Sequence, residues 1–579
     1  MISFTLNGQE VSVEDDNLSL LDALREELGC RSVKDGCSPQ GQCGCCTVWI
    51  DGAPRVSCVT ALRRVRGRCV TTVEGLDPDL RERWSEALCA KGASQCGFCT
   101  PGILMRLASL EFRKSHVDEP SIRSALGAHL CRCTGWQTIV EAANSLLCIE
   151  GESLDLGAGD LGAGDLGASI ENSDLMKAWR AQLEGPTFQS SSPKVVLGDG
   201  GFADDTSPPG TPIAMFDQVG SFSIYPSISA SRRGSSKVQG RNSTIPLRCP
   251  LQTPQGEWDI VLSTTWVEPS YLEPDASWCD PKGVPASPLA NGGAFGGKRL
   301  SPVPEQARFA ASRTGSRVKV LWSREDVVRY GPKRPPISIG INVDGRGIVR
   351  VGCTPNSTGS NEVVRRIQAI FPDVVVEKVT IPGPPTSSDI RGAGWAEAMA
   401  VSEAIRAMKE GRVPRGDDFR TATAELIDPG GGRARVTLHV PASEAAEGPP
   451  SLAGSPSTTI SVEVWAGELL DPVTLRSYCI GAVHQALGLV WSEGIAVDDS
   501  GEIHDLTMRS FGILSAQAMP HVEVTLHASD LWPMPGSNAV YAATLAAAWI
   551  ADGLPPMWPT RRSVRSVQTG SSSHDGRTQ

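Results

Sequence analysis

The sequence predicts a multidomain α+β protein, on three observations. Strand-type alternation opens the chain, helical periodicity without strand alternation fills residues 80–147, and mixed strand and helix signals resume only beyond a run of small residues at 155–168. At 579 residues the chain also exceeds what one core can serve, and about three to five units of roughly 100–200 residues are expected.

Taken in order, Ile2, Phe4 and Leu6 alternate, Asn7-Gly8 supplies a turn, and Val11 and Val13 continue the alternation, which predicts a hairpin over residues 2–13. Leu20, Leu21, Leu24 and Leu28 recur at helical spacing and predict a short amphipathic helix leading into a cysteine-rich loop. Thr47–Ile50 and Cys69–Val73 look like strands, and Leu80 to Leu147 like helices. These segments divide the first part of the chain into units at 1–76 and 77–150. DLGAGDLGAGDLGA at 155–168 is a tandem repeat that cannot supply a core, so 151–172 is expected to be a flexible linker. A mixed α/β region follows over 173–562, with Gly, Pro and Ser clusters near 207–211, 383–388 and 429–432 and a loop at Ala442–Thr458. Residues 563–579 are polar and are expected to form a disordered tail.

The formal net charge of -11 argues against a general binder of nucleic acid, which needs Lys and Arg concentrated on one face. The start, MISFTLNGQE, has neither a basic nor an apolar targeting region, and no stretch of 18 apolar residues follows, so a cytoplasmic protein without a membrane span is expected. Thirteen of the 17 cysteines lie before residue 150, and in that setting a cysteine cluster points to metal or redox chemistry rather than disulfides.

The first group is Cys37-x5-Cys43-x2-Cys46, followed by Cys58, in the run DGCSPQGQCGCC. Three thiolates on one tight loop and a fourth further on is how plant-type ferredoxins hold a [2Fe-2S] cluster. A structural zinc site is the alternative, although zinc usually takes two separated CxxC pairs. Cys45 adjoins Cys46 and competes with it as the third ligand, with loop spacing favouring Cys46. The second group is Cys96-x2-Cys99 in QCGFCTPG and Cys131-x-Cys133 in CRCTGW, each pair expected at a helix end where backbone amides favour thiolate charge. Cys30, Cys45, Cys69, Cys89 and Cys148 are assigned no role beyond packing.

With these motifs in place, residues 1–150 resemble the iron-sulfur subunit of the molybdenum hydroxylases, the family of xanthine dehydrogenase, aldehyde oxidase and carbon monoxide dehydrogenase. The resemblance implies a ferredoxin-like β-grasp domain and a four-helix domain. It assigns one [2Fe-2S] cluster to Cys37, Cys43, Cys46 and Cys58 and another to Cys96, Cys99, Cys131 and Cys133. The gap of five residues after Cys37 departs from the family's four. Gln95 matches a residue that touches the pterin cofactor in the family. Past the linker, NGGAFGGK at 291–298 resembles the glycine-rich loop of the molybdopterin-binding subunit, which implies contacts from Gly293, Phe295 and Gly296. IRGAGWAEA at 390–398 resembles the arginine loop beside the metal, with Arg391. GAVHQALG at 481–488 resembles the stretch whose glutamine, here Gln485, contacts the cofactor. LEP at 272–274 and WSREDV at 322–327 fit in the same order. NGGAFGGK also mimics a phosphate-binding loop through Gly292, Gly297 and Lys298, yet Arg299 replaces the hydroxyl residue that would hold magnesium.

The resemblance also breaks. The family's general-base glutamate has no counterpart in MPGSNAVYAATLAAAW, where Ser537 or a neighbour stands in its place, so no catalytic residue is assigned. The stretch between Glu273 and Gly292 and the stretch 398–480 are shortened, and Gly392 replaces the copper-binding cysteine of carbon monoxide dehydrogenases. Two expectations follow. One is an oxidoreductase that hydroxylates a small N-heterocycle or aldehyde at molybdopterin and passes electrons through both clusters to a flavin or other acceptor. It would have an FAD-binding subunit as a partner and would leave room for a further molybdopterin subunit. The other is a non-catalytic electron-transfer subunit whose shortened C-terminal region serves for docking.

Overall fold

The computed structural model describes the chain except for residues 16, 114–115, 149–169, 186, 218–219, 235–244, 415–418, 442–457, 563 and 566–579. Residues 442–457 of the expected loop and most of the expected linker and tail fall outside the described residues. Two boundaries are corrected. A helix, Ile170–Glu184, begins inside the segment read as linker. Val564–Arg565 pairs in parallel with Leu247–Arg248, so backbone pairing reaches into the segment read as tail.

The opening hairpin forms as its alternation predicts. Ile2, Phe4 and Leu6 point inward, Ile2 pairs with Val13, and Asn7 and Gly8 take positive φ (51° and 83°), the geometry that lets a two-residue turn follow the strand twist. The hairpin joins a five-stranded sheet in the order Gln9–Val13, Ile2–Leu6, Cys69–Thr71, Thr47–Ile50, Ala53–Val56, with the Ile2–Leu6 and Cys69–Thr71 strands parallel. Leu20, Leu21 and Leu24 bury the short helix that follows the hairpin, and Ser19 caps it by accepting from the Asp22 amide.

Four α-helices follow, Pro78–Ala90, Thr100–Ala108, Glu119–Ala125 and Gln137–Leu147. Asp77 and Asp118 cap the first and third through their carboxylates, and Trp84 and Trp136 are fully buried among them.

The C-terminal region has three larger sheets. Ala276–Cys279, Val318–Leu321, Ile213–Phe216 and Phe222–Tyr225 form one; Val375–Thr380, Gly347–Cys353, Ile337–Ile341, Ile260–Thr264 and Met557–Trp558 form the second; Phe419–Ile427, Arg433–Pro441, Thr459–Trp465 and His521–His527 form the third. Helix Ser537–Ala551 is apolar on every side because it runs between helices Trp395–Lys409 and Pro472–Trp491 and the third sheet. Among the described residues no helix is long and apolar enough to cross a membrane.

The N-terminal units are held to this region by buried polar contacts. Arg25 bonds Asp204 and Asp205 at 2.6 and 2.8 Å, Lys34 donates to the Gly198 carbonyl at 2.6 Å and pairs with Asp205, and Arg232 reaches Asp22 at 2.8 Å and also Asp35. On the other side, Trp136 donates to the Leu514 carbonyl at 3.0 Å, and Gln137 exchanges two 2.8 Å bonds with the Val522 backbone. Desolvating such charges is costly, so the contacts hold only because each charge meets a partner.

Candidate metal centres and cofactor contacts

All 17 cysteines are free thiols, and the eight in the two motifs are buried. In the first group the loop from Asp35 to Cys46 folds Cys37 back on itself, so that its sulfur accepts from the amides of Gln40 at 3.2 Å and Gln42 at 3.5 Å. Cys37 bonds Cys43 and Cys58, and Cys58 also bonds Cys46. The Cys43 and Cys58 thiols and the Gln42 and Cys43 amides pull Cys37 well below the ordinary thiol value, whereas hydrogen bonding to Cys37 and Cys46 together with burial pushes Cys58 up. One thiolate therefore forms at its neighbours' expense, and only a bound cation would let all four ionise.

Cys45 and Cys46 part company here. Cys46 bonds Cys58, while Cys45 bonds Cys43 and faces Cys131 and Cys99 of the second group; hydrogen bonding to Cys43 lowers its pKa, but burial and the charges of Cys37, Cys46 and Cys131 together leave it raised. Gly36 is bare for this reason, since a Cβ there would lie 3.0 Å from the Cys43 sulfur and 3.1 Å from that of Cys45.

In the second group the sulfurs of Cys96 and Cys133 are 3.5 Å apart, and Cys99 bonds Cys131. Cys99 stands at the start of helix Thr100–Ala108, with Pro101 in its first turn, as the QCGFCTPG run predicts. Hydrogen bonding to Cys99, aided by Thr134 at 3.1 Å, brings Cys131 down to about 6 despite its burial. Among the described residues no set of three or more His, Cys, Asp or Glu side chains is arranged to hold a metal ion; the first group runs as a chain from Cys43 through Cys37 and Cys58 to Cys46, and the second stands as the pairs Cys96–Cys133 and Cys99–Cys131. Buried, unoxidised thiols with amide and hydroxyl donors at their sulfurs fit the thiolate chemistry an iron-sulfur cluster requires.

Four of the six residues expected to touch molybdopterin are split between two clefts that share Arg132, and Gln95 and Gly296 line neither. Phe295, Arg391 and Gln485 line one, together with Arg334, Glu493 and Tyr541. Gly293 lines the other, against Cys96, Cys133, Glu273 and Lys298. Each cleft has room for about one water. Arg391 donates to Ser537 at 2.7 Å, to Asn538 at 3.2 Å and to Gln485 at 3.4 Å, and stacks on Tyr541. Burial lowers its pKa. Gln485 donates to the Arg132 carbonyl at 3.2 Å, and Gln95 to the Cys133 carbonyl and the Ser477 hydroxyl, each at 3.0 Å. Gly296 approaches Asp389 so closely that a Cβ would lie 1.9 Å from its carbonyl oxygen. Lys298 is buried and donates to Glu273 at 2.7 Å, which removes it from any phosphate role; burial pushes Glu273 up to about 7 against the pull of Lys298. As these residues stand, a pterin does not fit among them.

Three features were not read from the sequence. Arg132 and Glu493 form a buried two-pronged ion pair beside Cys131 and Cys133, with Arg132 Nη2 2.7 Å from the carboxylate. Glu184 accepts from the amides of Gly536 and Ser537 at 2.7–3.1 Å, so its carboxylate caps the helix at the position where the family's general base is missing. Gln189 bonds Tyr478 beside the glycine-rich loop. Each joins residues about 290–360 positions apart, with no local pattern to mark it.

Residues 72–144 match the [2Fe-2S] binding domain family. The caffeine dehydrogenase subunit gamma of Pseudomonas sp. (strain CBB1) is 39% identical over 151 residues, which is 25% of this chain and 90% of that subunit. The chain belongs to the molybdenum hydroxylase family. Within it, the nicotinate dehydrogenase small FeS subunit of Eubacterium barkeri is 38% identical over 141 residues, covering 23% of this chain and 87% of that subunit. Both are similar to this molybdenum hydroxylase-family chain only over its first quarter. The aldehyde oxidoreductase of Desulfovibrio gigas shares the fold much further, with a TM-score of 0.63 over 95% of this chain and 97% of that one, at 14% identity. These relatives are oxidoreductases, and this chain carries their 2Fe-2S domain.

Proposed function

We propose that the chain is the iron-sulfur electron-transfer component of a molybdenum hydroxylase. In this reading Cys37, Cys43, Cys46 and Cys58 hold one [2Fe-2S] cluster and Cys96, Cys99, Cys131 and Cys133 hold a second. The observation that carries it is the burial of eight free cysteines in two groups, with Cys45 between them beside Cys43. Each cluster, when bound, accepts and gives up one electron. The chain's own part is to ionise the thiols, exclude water and set potential: the Gln40 and Gln42 amides act on Cys37, and the Thr134 hydroxyl on Cys131. The first group lies under a partly exposed loop at Pro39–Gln42, the natural side for a flavin subunit or other acceptor, while the second is enclosed. By likeness to the caffeine and nicotinate enzymes, the substrate oxidised by the whole complex is a small N-heterocycle, with an aldehyde the other candidate.

The relay reading is tested by iron and acid-labile sulfide per chain after anaerobic purification. About four of each is expected. Zinc without iron would refute it.

A further inference from the structure

We infer that this chain does not house molybdopterin: its own residues 189–191 and the 291–298 loop close over the second cysteine group, and molybdenum belongs to another chain of the complex. The inference rests on the relay reading above.

In a loop that cradles a cofactor, the missing Cβ leaves space that the cofactor takes up. Here the protein takes it. A Cβ on Gly292 would lie 2.2 Å from Gln189 Nε2, one on Gly293 2.7 Å from the Cys96 Cβ, and one on Gly297 2.5 Å from the Tyr271 ring. All are closer than real Cβ contacts come, so these glycines serve contacts within the chain.

The segment after helix Ile170–Glu184 completes the closure. Gln189 is buried and its side-chain oxygen accepts from the Tyr478 hydroxyl. The Ser190 amide donates to Asn291 at 3.2 Å, Ser191 donates to the Ser94 carbonyl at 3.0 Å, and Asn291 donates to the Cys96 carbonyl at 2.7 Å. Residues 189–191 thus run between the QCGFC turn and the glycine-rich loop, bonded to both. From the opposite side, helix Pro472–Trp491 lies so close to the CRCTGW loop that a Cβ on Gly481 would stand 1.8 Å from the Cys133 carbonyl oxygen. Gln95 and Gln485, the amides expected to face the cofactor, donate to carbonyls of that same loop. A pterin could enter only by displacing these bonded groups together.

The test uses the full chain made in a host with an active molybdopterin pathway. Molybdenum and acid-released pterin are measured per chain, and hydrogen exchange is followed at residues 189–191 and 291–298. Molybdenum and pterin below about a tenth per chain are expected, with both segments equally protected whether or not the host's pathway is active. Near one molybdenum per chain would overturn the inference, as would protection that changes only when the pathway is active. Iron is counted in the same sample: a low iron value would refute the relay reading, while the exchange comparison would still decide this one.

Discussion

The Arg132–Glu493 pair provides a direct check on how firmly the C-terminal region grips the second cysteine group. Both side chains are less than a tenth exposed, the guanidinium meets the carboxylate with two prongs, and Arg132 also donates to the Pro269 carbonyl at 3.1 Å. Burial already raises the pKa of Glu493 against the pull of Arg132. Removing one partner leaves the other buried and uncompensated, which costs about 3–5 kcal/mol, whereas replacing both by apolar residues of similar size is close to neutral. Arg132→Met and Glu493→Leu are each expected to lose that much in urea unfolding of the iron-loaded chain, followed by tryptophan fluorescence and cluster absorbance together. The double variant should recover most of it, giving a coupling of at least about 2 kcal/mol. Single losses below about 1 kcal/mol would mean that the pair is solvated and that the region does not close over CRCTGW.

Three further outcomes follow from the geometry. Cys46→Ser is expected to remove about half of the iron and Cys45→Ser none of it, by iron assay, because Cys46 and not Cys45 bonds Cys58. Glu184→Gln should lower stability by about 3–5 kcal/mol in thermal unfolding, since it takes the charge from a cap that accepts from Gly536 and Ser537 and leaves the buried Arg180 without its carboxylate. His484 is held neutral by burial, its pKa lowered from 6.5 to about 4. The unfolded chain therefore takes up the proton first as pH falls. Stability from this group should drop by about 1.4 kcal/mol per pH unit from pH 6.5 down to 4, and His484→Gln should flatten that slope in urea titrations.

Much of the N-terminal fold was legible because its signals are local. Period-two alternation and Asn7-Gly8 specify the hairpin, and QCGFCTPG places Cys99 at a helix start. Spacing sorted the cysteines into two groups; geometry adds that Cys96 meets Cys133 and Cys99 meets Cys131, across the two short motifs and not within them, and that Cys46 and not Cys45 meets Cys58. What stayed hidden depends on long-range meetings. Glycines in NGGAFGGK announce a close approach but not its partner, and the partners are Gln189, Cys96, Asp389 and Tyr271. The anchors Asp204, Asp205 and Glu184 lie in a stretch with little periodicity, where nothing local shows that they meet Arg25, Lys34 or the end of a helix more than 350 residues away.

The central claim, two separate clusters on two cysteine groups, is tested most directly by electron paramagnetic resonance of the dithionite-reduced chain, alone and as Cys46→Ser and Cys131→Ser. Two distinct reduced [2Fe-2S] signals are predicted in the parent, each variant losing a different one while keeping the other. A single signal in the parent, or the same signal lost in both variants, would contradict the account.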